Sequence, residues 1–141
     1  MINIRPLIEQ RLRAEIPDFK EVGGAASLAN ILQGRISDPG CYVFQERNSA
    51  ANNDSVGATM QRVTELIAVV TIVRNVRDSR GSDAADTSQA FQANIQTALL
   101  GWQPHPSTDS MEFVSGALVS FDNGFLIWKD TYKTYQFIRS I

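Results

Sequence analysis

The sequence predicts a single α+β domain spanning residues 1–141, and three observations support this class. A chain of 141 residues has about the size of one domain and can bury a core without disulfides or metals. Hydrophobic residues make up 43% and charged residues 20%, which is typical of globular proteins and excludes a disordered, collagen-like or coiled-coil chain. Segments with helical apolar spacing also occur together with segments rich in β-branched and aromatic residues.

The first segment with helical spacing lies at the N-terminus. It has Asn3 as its N-cap, Pro6 in its first turn and Pro17 at its end. A short strand over residues 19–22 and a brief second helix over residues 28–32 are predicted to follow, before a turn at residues 38–40. The apolar residues of the first helix are Ile4, Leu7, Ile8, Leu12 and Ile16.

A β-hairpin is predicted in the middle of the chain. Residues 41–47 form its first strand, and residues 60–76 form a longer second strand whose centre, LIAVVTIV, is apolar on both faces and must be covered on both sides. Residues 48–58 between them are rich in Asn, Ser, Asp, Gly and Ala. Because such residues have little to bury, we expect a flexible tip when the protein is alone.

A long helix and further strands are predicted for the C-terminal half. The helix has Asp83 as its cap, Asp86 in its first turn and Gly101 at its end, and a loop over residues 103–110 follows it. Its buried face consists of Phe91, Ile95, Ala98, Leu99 and Trp102.

Residues 111–141 predict a three-stranded antiparallel meander. Its turns are expected at residues 122–124, which read Asp-Asn-Gly, and at the short connection Asp130-Thr131.

Charged residues are unevenly distributed along the chain. The net charge of −2 argues against avid nucleic-acid binding by the whole surface. Residues 81–128 contain acids but no Lys or Arg, whereas four arginines flank the long strand. Such regions either pair within the chain or face one another between neighbouring copies, and both readings stay open. The arginines are Arg62, Arg74, Arg77 and Arg80, and the acids are Asp83, Asp86, Asp109, Glu112 and Asp122.

Groups suited to catalysis or metal binding are few. Cys41 opens an apolar strand, where core packing explains it, and His105 lies between two prolines in a loop. One His and one Cys cannot complete a zinc tetrahedron, so no catalytic residue, metal or cofactor is expected. No stretch is long and apolar enough for a membrane helix, and no signal-peptide core is present, so a place in the cytosol is expected, with no membrane partner.

Several motifs near the C-terminus combine aromatic, glycine and turn residues, namely Glu112-Phe113-Val114, Gly116, Phe121-Asp122-Asn123-Gly124, Trp128-Lys129-Asp130 and Tyr132. They resemble the closing segment of tail terminator (tail completion) proteins of long-tailed bacteriophages. The resemblance extends over nearly the whole chain, from the opening IRPLIEQRL helix through a hairpin with a polar tip to the final strands. None of these motifs is catalytic.

The resemblance implies a non-enzymatic virion protein with a mixed, mainly antiparallel sheet flanked by helices and a long extended β-hairpin. It also implies a homohexameric ring, assembled in the host cytoplasm, on the head-proximal end of the tail tube. The implied partners are further copies of the chain, the tail tube protein and a head-tail connector or neck protein, with DNA only passing through the channel. Alternatives are a head-to-tail connector protein and a small cytosolic α+β ligand-binding domain.

Two contact hypotheses follow from the residues. The arginine-bearing end of the long strand is expected to pack against an acid-bearing surface of the next copy, where apolar burial gives affinity and charge sets the register. The polar loop is expected to contact the tube or the neck. The subunit-interface residues are Arg62, Arg74, Arg77, Arg80, Asp83 and Asp86, and the loop residues are Asn48, Asn52, Asn53 and Asp54.

Overall fold

The computed structural model describes residues 1–25, 38–74, 82–122 and 124–140. These residues form two helices and five strands, which confirms the predicted α+β class. The brief helix predicted over residues 28–32 lies outside the described residues. The elements are α1 (Arg5–Glu15), β1 (Glu21–Gly23), β2 (Gly40–Ala50), β3 (Met60–Arg74), α2 (Ser82–Leu99), β4 (Glu112–Asp122) and β5 (Phe125–Arg139).

The five strands form one mixed sheet in the order β1-β2-β3-β5-β4. β1 is parallel to β2, whereas β2 with β3, β3 with β5, and β5 with β4 are antiparallel pairs. β2 and β3 form the long hairpin that the sequence predicts. Because the four long strands alternate in direction, β2 and β4 run in opposite directions at opposite sides of the sheet.

Both described helices pack on one face of the sheet and form the main core with it. Apolar residues of α1, at helical spacing, meet those of α2 and every second residue of β3. The Arg11 side chain of α1 also donates a hydrogen bond from Nε to the carbonyl oxygen of Ala98 in α2, at 3.1 Å. The contributors include Ile8, Leu12, Ile16, Cys41, Ile67, Val69, Val73, Phe91, Ile95, Leu99 and Tyr132.

A smaller cluster lies on the other face of the sheet. It contains Tyr42, Val70 and Ile72, with Phe44, Phe125 and Ile127 partly buried against it. The centre of β3 is therefore buried on both faces, which confirms the prediction from its uninterrupted apolar run.

The predicted three-stranded meander is wrong, because β5 is one continuous strand that runs through Asp130 and Thr131. Both residues are buried within the sheet. Asp130 Oδ1 accepts a hydrogen bond from Trp128 Nε1 at 2.8 Å, and Thr131 Oγ1 donates to Glu46 on β2. Pairing with β3 and β4 and the contact with Glu46 therefore keep in a strand a dipeptide that reads locally as a turn.

Smaller boundary predictions also change. Ile4, not Asn3, occupies the N-cap position of α1, and no side chain caps this helix. β1 begins two residues later than predicted. Asp83 lies within the first turn of α2 and does not precede it. Gly101 follows α2 with a φ of +76°, as its predicted role at the helix end requires.

Candidate assembly surfaces

The tip half of the β2–β3 hairpin is fixed by a buried polar network. The Glu65 carboxylate in β3 accepts hydrogen bonds from Gln45 Nε2 at 3.0 Å and from Gln136 Nε2 at 2.8 Å. Gln136 Nε2 also donates to the carbonyl oxygen of Ile2, and Gln136 Oε1 accepts from the main-chain nitrogen of Ile2. The network therefore joins β2, β3, β5 and the N-terminal segment, and it holds the hairpin in a fixed position on the sheet.

The first part of the predicted tip is strand. β2 continues through Asn48 to Ala50, and these residues pair with Glu65, Thr64 and Val63 of β3. The predicted boundary at residue 48 is therefore wrong. Residues 48–50 are exposed and polar or small, so side-chain pattern alone does not distinguish them from a loop, and main-chain pairing to β3 decides their conformation.

The remaining tip is arranged around Asn53. Its Oδ1 accepts hydrogen bonds from the main-chain nitrogens of Ser55, at 3.1 Å, and Met60, at 2.8 Å. Its Nδ2 donates to the carbonyl oxygen of Ala58 at 3.3 Å. The Asn53 side chain thus closes the loop internally. The other two predicted loop residues, Asn52 and Asp54, are exposed beside it.

Arg62, the first predicted interface arginine, contacts its own chain. Its guanidinium lies 3.7 Å from Asp109 Oδ2 and 3.5 Å from the ring centre of Tyr135. Arg62 and Asp109 are both partly exposed, so this ion pair contributes little stability by itself. For this arginine, the positive and the acidic region meet within one molecule.

Arg74 lies at the opposite end of β3, twelve residues from Arg62 or about 40 Å at ~3.3 Å per residue. These two arginines therefore do not form one patch. The main-chain nitrogen of Arg74 donates to Asp38 Oδ1 at 2.8 Å, and the Arg74 guanidinium lies 6.0 Å from the ring centre of Phe125.

The predicted acids Asp83 and Asp86 are exposed in the N-terminal half of α2. This half borders Leu126, which follows Phe125, so both acids lie toward the end of the sheet that carries Arg74. Arg77 and Arg80 lie outside the described residues, as do residues 75 and 76 of the predicted long strand.

An exposed apolar surface lies on β4, at the edge of the sheet. Five large apolar side chains of this strand are between 38% and 57% exposed. Exposed apolar residues on an edge strand favour association with another chain, and their number here exceeds what isolated surface residues explain. They are Phe113, Val114, Leu118, Val119 and Phe121.

The register of β4 explains this exposure. Leu118 pairs with Trp128 and Phe121 pairs with Leu126, so both side chains point to the face that the helices cover. However, α2 packs on β3 and β5 and does not cover β4, so the β4 side chains on this face stay exposed. A cleft of about 190 Å³, lined by Leu118, Leu126, Trp128 and small or polar residues of α2, remains between the helix and the edge strand.

The sequence contains a sign of this surface, but hydrophobic periodicity alone does not reveal it. The apolar neighbours Phe113-Val114 and Leu118-Val119 break the alternation of a half-buried strand. In the structure, the pairing of β4 with β5 shifts register at both places, so each dipeptide contains a bulge residue. Adjacent apolar pairs in a predicted edge strand therefore indicate a contact surface.

Candidate chemical groups are buried or unassembled. Burial raises the pKa of the Cys41 thiol, with the nearby Asp130 and Glu9 carboxylates adding to the effect, so the thiol stays protonated. His105 Nδ1 accepts a hydrogen bond from the main chain of Ser107 in its loop. Over the described ranges, no three His, Cys, Asp or Glu side chains come together as metal ligands. Neither α1 nor α2 is long and apolar enough to cross a membrane.

Comparison with known proteins agrees with the resemblance read from the sequence. The family described as phage tail terminator protein matches residues 3–141. A solved structure described as "Virion of native gene transfer agent (GTA) particle" contains a chain with a similar fold, with a TM-score of 0.55 and 14% sequence identity over 95% of this chain and 94% of that one. Among curated proteins, none matches the sequence.

Proposed function

The chain belongs to the phage tail terminator family, and on this premise we propose that it caps the head-proximal end of the tail tube as a homohexameric ring. The ring ends tube polymerisation and forms the surface that joins the capsid neck. Its partners are further copies of the chain, the tail tube protein and a head-tail connector or neck protein, while DNA passes through its channel. The fold shared with a chain of a gene transfer agent virion supports a place in a virion particle.

The exposed apolar edge of β4 is the observation that carries this proposal. A protein acting alone gains nothing from exposing five large apolar side chains on one edge strand, because burying them against a partner is favourable. A subunit of a ring needs such a surface. A heterologous contact, which joins two different patches, closes into a ring when the rotation between copies allows it.

The tip of the β2–β3 hairpin is the proposed contact with the tube. Asn52 and Asp54 present polar side chains to solvent, and Asn53 holds the loop in one conformation. These hydrogen bonds reduce the contact energy that must be spent on ordering the loop, and the flexibility of the free tip stays a prediction.

A charged contact between copies is proposed at the other end of the sheet. There, Arg74 and the exposed acids Asp83 and Asp86 have no ion pair in the described part of the chain and are available to a neighbour. Arg77 and Arg80 follow Arg74 in the sequence and are proposed to extend this positive end.

Tail length measured by electron microscopy tests the function. Tails assembled without this chain should be longer than normal and lack heads, and the wild-type chain should restore normal length. The double variant Asn52→Ala/Asp54→Ala leaves the Asn53 hydrogen bonds in place, so it should fold normally yet yield overlong tails. Asp18→Ala, which removes an exposed acid far from the tip, is the matched control and should give normal tails.

Two outcomes contradict the proposal. Normal-length, infectious tails made without the chain exclude a role in ending the tube. A chain that binds the capsid portal in the absence of any tail tube is a head-to-tail connector.

A further inference from the structure

The sheet has two free edges of unlike character. One is the whole of β4, which pairs only with β5 in the described part of the chain. The other is the outer half of β2, because β1 pairs only with Gly40, Cys41 and Tyr42. Within the described residues, the outer side of β2 from residue 43 to residue 50 therefore has unpaired main-chain groups, as does β4.

We propose that β4 of one subunit pairs with the free edge of β2 of the next copy, so that neighbouring sheets join into one. This inference rests on the proposed ring, and it names the surfaces through which copies meet. The occupant of the apolar edge is a second copy of this chain.

Strand direction supports this pairing. β2, β3, β5 and β4 alternate in direction, so β4 and β2 run oppositely. A copy rotated about an axis along the strands keeps these directions and places its β2 antiparallel to β4. The alternation of the sheet then continues across the junction, in the pairing geometry that is slightly more stable per residue.

Charge supports one register of this pairing. Arg47, Leu66, Lys133 and Glu112 are consecutive partners in one row across the sheet. Continuing this row into the next copy places Arg47 of that copy beside Glu112. Arg47 is exposed and has no ion pair among the described residues, while Glu112 already lies 3.5 Å from Lys133 and keeps more than half of its side chain exposed. Glu112 would then lie between two cations, a favourable cross-strand arrangement.

A symmetric pairing of β4 with β4 is disfavoured by the same criterion. β4 has an acid at each end, Glu112 and Asp122, and contains no basic residue. Antiparallel pairing about the centre of the strand would place each acid opposite the other, and like charges directly opposite are destabilising. The two different edges therefore fit each other better than β4 fits itself.

The side chains of β4 suit this role. Phe113, Leu118 and Phe121 share the helix-covered face. In the register set by Arg47 and Glu112, residues 112–116 pair with residues 43–47 of the neighbour and Phe113 becomes buried, while the rest of β4 passes the neighbour's β1, which already pairs with residues 40–42. Ser115 and Ala117 lie on the other face and are small enough to leave the approach of a second chain unobstructed. Apolar burial gives affinity, and the main-chain ladder with the Arg47 and Glu112 pair sets the register.

Cysteine cross-linking tests the pairing directly. Directly opposite residues of an antiparallel pair have Cα atoms roughly 4.5–5.5 Å apart, within the range that a disulfide spans. The double variant Arg47→Cys/Glu112→Cys, oxidised at high protein concentration and on capped tails, should give a ladder of covalent oligomers on a non-reducing gel. Each single variant should remain monomeric, because the native Cys41 is fully buried.

Charge exchange provides a second measurement. Glu112→Arg and Arg47→Glu should each weaken assembly in light scattering about fivefold, and combining them should restore it to within about twofold of wild type. Asp18→Arg changes an exposed acid outside both edges and should leave assembly unchanged.

The outcomes separate this inference from the proposed function. Rings or capped tails that form normally while the double cysteine variant stays monomeric overturn the pairing and leave the capping function intact. Dimers from Ala117→Cys alone overturn it in favour of symmetric β4 pairing, because pairing about the centre of β4 places this residue opposite its own copy. A chain that neither assembles nor caps tails overturns both.

Discussion

The two hairpins of the sheet expose opposite kinds of residue. In the β2–β3 hairpin, the exposed part of β2 from Gln45 onward is polar or small, and a buried network around Glu65 holds its tip half in place. In the β4–β5 hairpin, the residues of β5 are buried or partly buried except Phe137 and Arg139, but β4 exposes five large apolar side chains. A polar edge is stable in water, whereas an apolar edge reduces its free energy by meeting another chain. The two hairpins thus differ in whether their exposed edge is stable in the dilute chain or needs a partner.

The position of α2 produces this difference. The helix covers β3 and β5, so apolar residues there reach the core, and the same kind of residue one strand further out does not. Burial at β4 therefore depends on a partner, while burial at β3 does not.

The largest expected effect is a difference in unfolding free energy between two apolar truncations, one in each hairpin. Ile67→Ala, at a residue of β3 only 1% exposed, should lower the free energy of unfolding by about 2–5 kcal/mol. Leu118→Ala in β4 should change it by no more than about 0.5 kcal/mol in the dilute chain, because Leu118 is 55% exposed. Urea unfolding measures both. Similar losses for the two variants would mean that β4 is packed against its own chain.

A smaller effect is expected at the one position of β4 that closely approaches the core. A Cβ at Gly116 would lie 2.7 Å from Asp130 Oδ1 and 3.0 Å from Trp128, which are hydrogen-bonded to each other. Gly116→Ala should therefore destabilise the chain by about 1–3 kcal/mol. Ala117→Ser, on the opposite face, is the control and should be nearly neutral in the same urea titration. Equal stabilities of the two variants would show that this approach is not tight.

The smallest effect is the pH dependence contributed by Asp130. Burial raises the pKa of its carboxyl, while the hydrogen bond from Trp128 lowers it in part, and Oδ2 has no hydrogen-bond partner in the described part of the chain. The folded chain thus retains the proton to a higher pH than the unfolded chain. The contribution of this carboxyl to the free energy of unfolding is fully present below its unfolded pKa of about 3.9 and is lost as the pH rises through its folded pKa.

Asp130→Asn removes this titration. Its free energy of unfolding relative to wild type should therefore increase as pH rises above about 4 and become constant above the folded pKa. A constant difference for Asp130→Asn over the whole range would contradict the buried, ionisable carboxyl.

Local patterns in the sequence predicted the elements whose residues carry their own signal. The apolar spacing of α1, the uninterrupted apolar run of β3 and the glycine that follows α2 each depend on neighbours within a few residues. The continuity of β5 through Asp130 and Thr131 does not follow from the local pattern, because pairing with β3 and β4 stabilises it.

The candidate site was predicted less well for the same reason. Arg62 and Asp109 are far apart in sequence, so their pairing follows from the fold and not from charge distribution along the chain. The exposure of β4 depends on which strands α2 covers, and the apolar pattern of a single strand does not specify this. Asn53, by contrast, lies in a loop whose composition already indicated a polar tip, and only its hydrogen bonds were new.

The clamp by which Gln136 holds Ile2 has a practical consequence, because the other end of the chain lies nearby. The main-chain nitrogen of Ser140 donates to the carbonyl oxygen of Thr59, so residues 2 and 140 both lie at the tip end of the hairpin. A small fluorescent domain or gold label fused at either residue marks that end of the subunit. In micrographs of decorated particles, its position along the particle axis reports the polarity with which the protein is mounted.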